Sequence, residues 1–318
     1  MTLALVPFAV DLPSALSLAG DALRSRIVPG EDLRDMLPPL ESAIRSARAF
    51  GGLLRSDGED AGIVLWEPAG PFGVSLRLLH LSPGNSSVES YRALLDLTER
   101  AAGPIAFSTG LLAGLSADEE STVMRMRGFA PYGRSEMGFP PAASVPPVPV
   151  PTGAEVRAVR LSDEPELARL HERAYRDHLD RYFSIQDLDP VRDADRQVRD
   201  YFAGAEGELL IPGSTVTTVG GGIVAATLAV RRTAHALIID VMADPTVQGN
   251  GFGRSSLSSA LRALRGRGEN AIVLNVTEGN DRAIRLYTRL GFVRTIGPSS
   301  EWYDARRISV EVPRPSSP

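Results

Sequence analysis

From residue 154 onward the spacing of apolar positions changes period several times. Glu155–Arg160 alternates in the two-residue rhythm of a strand. Ser162-Asp163-Glu164-Pro165 then supplies a helix start, and Leu167, Leu170 and Ala174 recur at helical spacing behind it. The polar, aromatic-containing stretch from Tyr175 to Phe202 predicts two helices with a loop. Leu209–Ile211, Thr215–Val219, Gly222–Val230 and Ala236–Met242 read as strands, the last of them apolar and β-branched. Gly249–Gly253 breaks this run, after which Leu257, Ala260, Leu261 and Leu264 mark a helix. Ala271–Val276 is a further strand, Asp281–Leu290 a further helix, and Gly291-Phe292 opens a final strand. Alternation of this kind predicts an α/β fold around a mixed sheet.

The first half repeats the order. Phe50–Leu54, Ala61–Trp66 and Val74–Leu81 read as strands, Ser87–Ala102 as a helix, Pro104–Ser108 as a strand and Ala117–Arg127 as a helix. That helix ends at Gly128-Phe129, as the one in the second half ends at Gly291-Phe292. The matched order predicts a diverged internal duplication. Between the halves lie prolines 140, 141, 146, 147, 149 and 151, which exclude a helix and favour an extended, semi-rigid connector. The expected domains are therefore 1–139, a linker 140–152, and 153–318.

Composition narrows the function classes. The net charge of -5 gives no basic surplus for nucleic acid or an anionic membrane. All 34 basic residues are Arg, a bias that fits a GC-rich bacterial genome and leaves no Lys to act as base or Schiff-base former. With no Cys, disulfides, thiolate metal sites and a covalent thioester relay are excluded. No metal site is expected. Thr2–Val10 is apolar but short and meets Asp11 and Pro13, so it reads as a strand and not a signal peptide, and no run approaches the ~20 residues of a membrane span. The expectation is a cytoplasmic protein.

The segment Val241-Met242-Ala243-Asp244-Pro245-Thr246-Val247-Gln248-Gly249-Asn250-Gly251-Phe252-Gly253-Arg254 takes a strand through a glycine-rich turn into a helix. Main-chain N–H groups unshielded by Cβ atoms, backed by a helix N-terminus, can close around a pyrophosphate. The glycines alone fit an ordinary βα turn equally well. A nicotinamide-dinucleotide domain is disfavoured, since the turn follows several strands and no acidic ribose partner lies on a second strand about 20 residues on.

This turn resembles the acyl-CoA loop of the GNAT superfamily of N-acyltransferases, Gln/Arg-x-x-Gly-x-Gly/Ala, at Gln248, Gly251 and Gly253. The family's second mark, Asn-x-x-Ala-x-x-Leu-Tyr-x-x-x-Gly-Phe, is filled by Asn280, Ala283, Leu286, Tyr287, Gly291 and Phe292. The resemblance covers about residues 154–312 directly. It implies two GNAT-like domains, each a mixed, mostly antiparallel sheet flanked by helices. It also implies direct acetyl transfer from acetyl-CoA, or another acyl-CoA, to a primary amine of a small molecule or peptide by a monomer or homodimer.

The resemblance also assigns roles. Val241, Met242 and Ala243 would offer main-chain groups to the pantetheine arm and polarise the thioester carbonyl. Gln248, Gly249, Asn250, Gly251, Phe252, Gly253 and Arg254 would hold the pyrophosphate. Asn280 would steady the cofactor, its plainer role being an N-cap. Tyr287 would protonate the leaving thiolate, unless it is only a packed core side chain. The base stays open. Relatives carry a Glu where Ile239 stands, followed by an Asp at the position of Asp240, which strict strand alternation turns away from the acceptor. His235 has the parity of Ile239 and titrates near neutrality, and water relayed through main chain and Tyr287 is a third route. Tyr175, His178, Tyr182 and Phe183, with Asp177, Asp180 and Asp187, are candidates for the acceptor pocket, although the acids also suit a solvated helix face.

At the matching place the first half reads Leu81-Ser82-Pro83-Gly84-Asn85-Ser86-Ser87-Val88, and Met124 stands where the Tyr should be. Cradle and acid are both missing, so a catalytically silent first domain is expected. The tandem layout is similar to that of mycothiol synthase, whose acceptor-binding residues find no match here. The alternative is a non-catalytic acyl-CoA-binding regulator or scaffold.

Overall fold

The glycine-punctuated alternation of strands and helices builds two units, seen in a computed structural model. It describes residues 3–8, 10–24, 41–42, 44–45, 50–82, 84–109, 115–176, 178, 180, 187, 189–306 and 308. The first unit comprises Met1–Gly133 with Ser299–Ser309, the second Arg134–Pro298 with Val310–Pro318. Among the described residues no helix is long and apolar enough to cross a membrane.

In the first unit β1 (Leu3–Pro7), β2 (Phe50–Ser56), β3 (Glu59–Pro68) and β4 (Val74–Leu81) pair antiparallel in that order. Strand β5 (Ile105–Thr109) joins β4 in parallel and pairs antiparallel with residues 301–303 of β13 (Val293–Asp304). Helices α1 (Leu12–Arg24), α2 (Val88–Ala102) and α3 (Ala117–Met126) complete it. Tyr91, Leu94 and Leu95 of α2, with Val123 and Met124 of α3, are fully buried against Leu76, Leu79 and Leu81 of β4.

The second unit orders its strands β6-β12-β11-β10-β9-β7: β6 (Phe129–Phe139), β12 (Ile272–Thr277), β11 (Ala236–Ala243), β10 (Gly222–Arg231), β9 (Thr215–Val219) and β7 (Ala154–Ala158). Among the described pairings of this unit only that of β11 with β12 is parallel; the short β8 (Glu208–Leu209) pairs with the end of β10. Helices α4 (Glu164–Tyr175) and α5 (Pro190–Phe202) cover one face through Leu167, Leu170 and Val198 against Leu228 and Met242. Helices α6 (Phe252–Gly266) and α7 (Asp281–Leu290) cover the other through Leu257, Leu261 and Leu290 against Ile238 and Leu274.

The units do not divide the chain where the prolines suggest. Residues 134–139 of β6 pair with β12 inside the second unit, and residues 301–303 pair with β5 inside the first. Nor is the proline segment a free spacer. Ala143, Val145 and Val148 pack on the second unit's core, and Pro146 O accepts a 3.2 Å bond from Ser258 on α6. Arg265, also on α6, donates to Phe139 O and Pro140 O at 3.1 and 2.6 Å. An extended proline backbone has free carbonyls, and α6 supplies the donors.

Candidate active site

Strands β11 and β12 are paired only over Ala236–Ile238 and Ile272–Leu274, although both run on for several residues. Past Ile238 they splay, leaving one edge of Ile239–Ala243 without a strand neighbour. A backbone edge freed in this way can accept an extended ligand as a further strand. The chain then leaves β11 through a turn held by Asp244, whose carboxylate accepts from Thr246 and from Arg173 of α4. Gly249 and Gly251 follow with φ of 91° and 86°, and Gly251 is the N-cap of α6. A glycine has no side chain to cap with, so no side chain satisfies the first turn of α6. A Cβ built at Gly253 would meet the Ala243 Cβ at 3.7 Å, an ordinary van der Waals contact between helix and strand.

This arrangement fits a pyrophosphate: a first helical turn with no side-chain cap, a helix dipole of the right sign, and open space at the Gly249 Cβ position. Gln248, Asn250 and Arg254 are exposed beside it. Asn250 turns its amide onto Val247 O at 3.0 Å, which tightens the turn. Arg282, in the first turn of α7, donates to the Gln248 amide oxygen and was not foreseen from sequence. Val241, Met242 and Ala243 bring their main chain to the splay, while the Met242 side chain is buried towards α4. Asn280 is the N-cap of α7, accepting from Ala283 N at 3.1 Å, and its Nδ2 lies 3.4 Å from His178 Nε2.

The splay begins at a β-bulge. Leu228 faces Asp240 and Ala229 faces Ile238, so Ile239 is an extra residue with no partner on β10. Strict alternation would turn Asp240 away from Ile239. The bulge instead puts both on the α4–α5 side, where Ile239 packs on that cluster and Asp240 Oδ1 accepts from Tyr175 Oη at 2.6 Å. The expectation that Asp240 faces away from the acceptor segment is therefore corrected. His235 precedes β11 at its opposite end, on the order of 15 Å along the strand from Asp240. It does not join this group.

Around Asp240 the fold collects a cluster that sequence showed only in part. Tyr175, His178 and Asp180 come together as named; His171, four residues before Tyr175 on the same helix face, did not stand out. Its Nε2 is 3.7 Å from Asp240 Oδ2, and its ring lies 4.6 Å from that of Tyr175. Asp180 accepts from Thr277 Oγ1 at 2.5 Å and lies 3.4 Å from His178 Nδ1. Asp187 is paired with Arg192 on the surface, away from this cluster. Asp177, Tyr182 and Phe183 lie outside the described residues, as does Pro83 of the first unit. Among the described residues no group of three or more His, Cys, Asp or Glu is placed to hold a metal ion.

Burial dominates the electrostatics. Asp240 is 4% exposed, and burial, aided by the charge of Asp180, lifts its carboxyl to about 7 against the hydrogen bond from Tyr175. Burial lowers His171 to about 4, so it is neutral at working pH. Burial first, then Asp240 and Asp180, holds the Tyr287 phenol well above its usual range. A carboxyl with a raised folded value stabilises the fold fully below its unfolded value of 3.8 and loses that contribution as pH rises through about 7. Above that pH the native state carries a buried charge. Asp240→Asn removes this charge and keeps the acceptor for Tyr175. The variant is expected to melt a few degrees above the wild type near pH 8, and the gap should close towards pH 5. Calorimetry at the two pH values checks this, and an unchanged gap would contradict it.

In the first unit, too, the parallel pair covers only part of β4, and no glycine stands at the N-cap of the helix that follows. Strands β4 and β5 pair only up to Leu76 and Ser108, while β4 runs on to Leu81. The helix that follows is capped by its own Ser87, whose hydroxyl accepts from Ser90 N at 3.1 Å. Met124 is completely buried in the core at the position of Tyr287.

Residues 167–292 match the acetyltransferase (GNAT) family. Mycothiol acetyltransferase from Thermomonospora curvata is 31% identical over 261 residues, covering 79% of this chain and 81% of that protein. The structure of a GCN5-related N-acetyltransferase from Sphaerobacter thermophilus superposes with a TM-score of 0.65 at 15% identity, covering 98% and 97% of the two chains. A tandem GNAT protein from the clavulanic acid biosynthesis pathway gives 0.63 at 16% identity, covering 95% and 98%. These two structures share the fold, the tandem arrangement of the second included.

Proposed function

The chain belongs to the GNAT acetyltransferase family, and from that premise we propose that its second unit transfers the acetyl group of acetyl-CoA directly to the primary amine of a small molecule. One observation carries this reading. The uncapped glycine turn of α6 opens at the β11–β12 splay, and the same strand end presents buried Asp240 beside Tyr175, within the electrostatic reach of Tyr287.

The division of labour follows from the geometry. The first turn of α6 and the loop before it hold the phosphates; the free edge of Val241–Ala243 aligns the thioester arm and places an N–H towards the carbonyl oxygen. Asp240, poised near neutrality, accepts the proton the attacking amine gives up. Tyr287, protonated at any working pH, donates to the departing thiolate. Among the described residues neither Asp180 nor Asp240 is bonded to an Arg, and both favour an approaching ammonium group. His235 has no part in this scheme. The first unit, lacking cradle and acid, takes no part in turnover.

The Thermomonospora relative makes the amine that acetylation converts to mycothiol the first acceptor to test. Purified protein is mixed with acetyl-CoA and a panel of amines containing that compound, and free CoA thiol is followed. Thiol release dependent on one amine is expected. Tight CoA binding with no release across the panel would instead favour a non-catalytic acyl-CoA-binding role.

A further inference from the structure

The proton acceptor of this site is almost sealed. Asp240 is 4% exposed, so an amine in the cleft has little access to its carboxylate. Among the described residues the one side chain that hydrogen-bonds it is Tyr175, through Oη at 2.6 Å from Oδ1. Its other oxygen, Oδ2, is buried without a hydrogen-bond partner and looks towards His171 Nε2 at 3.7 Å. Tyr175 is only half-buried and ends α4, at the start of the segment that leads to His178 and Asp180. Its ring is 5.9 Å from that of His178. Its hydroxyl therefore touches the sealed carboxylate while its ring borders the acceptor segment.

We propose that Tyr175 is the conduit through which the amine proton reaches Asp240. The proposal rests on the acetyl-transfer reading above and adds a catalytic residue to it. As the amine nitrogen bonds to the acetyl carbon and the carbon–sulfur bond breaks, the amine proton passes to Tyr175 Oη. The proton that Tyr175 holds passes in the same motion to Asp240 Oδ1. Tyr287 gives its proton to the thiolate, and the cycle closes when the proton on Asp240 is returned to the Tyr287 phenolate. No oxidant, metal or further reactant enters.

The surroundings suit this path. From α4, His171 and Tyr175 face Asp240; from the segment after α4, Asp180; from α5, Tyr201; and from α7, Tyr287. Burial first, and then Arg196 on α5, keep His171 neutral. Among the described residues none of the groups facing the carboxylate is a cation that would fix it in the ionised form. Its proton affinity stays near that of the medium, as a base that must load and unload each cycle requires. The conventional role for Tyr175 would be to pack α4 on the sheet, and Tyr175→Phe preserves that packing.

Two measurements test the proposal on the full chain. The first needs no acceptor: the Asp240 carboxyl is titrated by its infrared carbonyl band, assigned by its loss in Asp240→Asn. Since the Tyr175 bond lowers the value, Tyr175→Phe should raise it; a carboxyl that does not move overturns the proposal. The second is the pH profile of acetylation. Tyr175→Phe and Asp240→Asn should each cost about a hundredfold in kcat, in the usual range for a proton-transfer group. Both should lose the acidic limb near 7 and keep the affinity for CoA. The double variant should be no slower than the slower single, as for groups that act as one unit. A wild-type limb and rate in Tyr175→Phe, or losses that multiply, would overturn it. Failure of the acetyl-transfer reading would be seen separately, as wild-type protein that acetylates no amine.

Discussion

Replacing Tyr287 by Phe is expected to lower kcat by about a hundredfold or more while leaving the affinity for CoA within twofold of the wild type. The ring of Tyr287 lies 5.9 Å from that of Phe292 and packs in the α6–α7 core, contacts that Phe retains. What Phe lacks is the phenol proton. Burial and the nearby charges of Asp240 and Asp180 hold that proton well above the usual phenol range, so Tyr287 arrives at each cycle as a donor and not as a base. An acid that never deprotonates at working pH gives no alkaline limb of its own below about 10. The pH profile should therefore keep its acidic limb from Asp240 and show no tyrosine limb. Steady-state kinetics and calorimetric titration with CoA read the two quantities apart. A Phe variant with wild-type kcat would assign Tyr287 to packing alone and leave the thiolate to be protonated by another donor.

The same environment explains why the site is costly to keep. Two carboxylates and three tyrosines crowd the space between α4, α5, α7 and the end of β11, and Asp240 has one oxygen with no hydrogen-bond partner. A buried polar atom in that state destabilises the fold, typically by about 1–3 kcal/mol. Relief on Asp240→Asn and loss of turnover in the same variant are two faces of one arrangement.

How much of this could be read from the chain follows from which physical signals are local. The α6 cradle could, because glycines at positive φ, a helix-period run and the Asn280–Phe292 pattern are consecutive residues with fixed spacing. The first unit's lack of a glycine N-cap and of a tyrosine could also, since Ser87 and Met124 stand in line where Gly251 and Tyr287 stand in the second. The direction of Asp240 could not. It depends on a bulge opposite Leu228 and Ala229, set by pairing with a strand ten residues earlier, and one extra residue reverses a parity argument. His171 was hidden for a related reason: a His among the apolar residues of α4 reads as a helix face until the carboxylate beneath it is known. The proline segment was misjudged as a spacer because the donors that hold it, Ser258 and Arg265, lie more than a hundred residues away. Helix α1 was announced by Asp11, whose Oδ1 accepts from Ser14 N at 3.2 Å, and by Pro13, but the two residues read along the chain only as the end of an apolar strand.

Gly251→Val is expected to raise the dissociation constant for CoA at least tenfold. Gly251 caps α6 at a φ of 86°, a conformation in which a β-branched residue costs about 1–3 kcal/mol. A Cβ there would meet only Pro151 Cγ at 3.7 Å, so the chain itself has room and the unit should fold with reduced stability. The ligand does not have that room, because the new methyl groups stand over the N–H groups that must reach phosphate oxygens. The control is Gly84→Val in the first unit. Its φ is 91° and nothing lies within 4 Å of the added Cβ, so the local strain is comparable. There the following helix is already capped by the Ser87 hydroxyl, and an anion would have to displace it. Calorimetric titration of both variants should show CoA affinity lost in Gly251→Val and unchanged in Gly84→Val. If Gly84→Val also weakened binding, the first unit would hold acyl-CoA and its silence would be wrong. If Gly251→Val bound normally, the phosphates would have to be held elsewhere, and the exposed guanidinium of Arg282 beside Gln248 would be the first place to look.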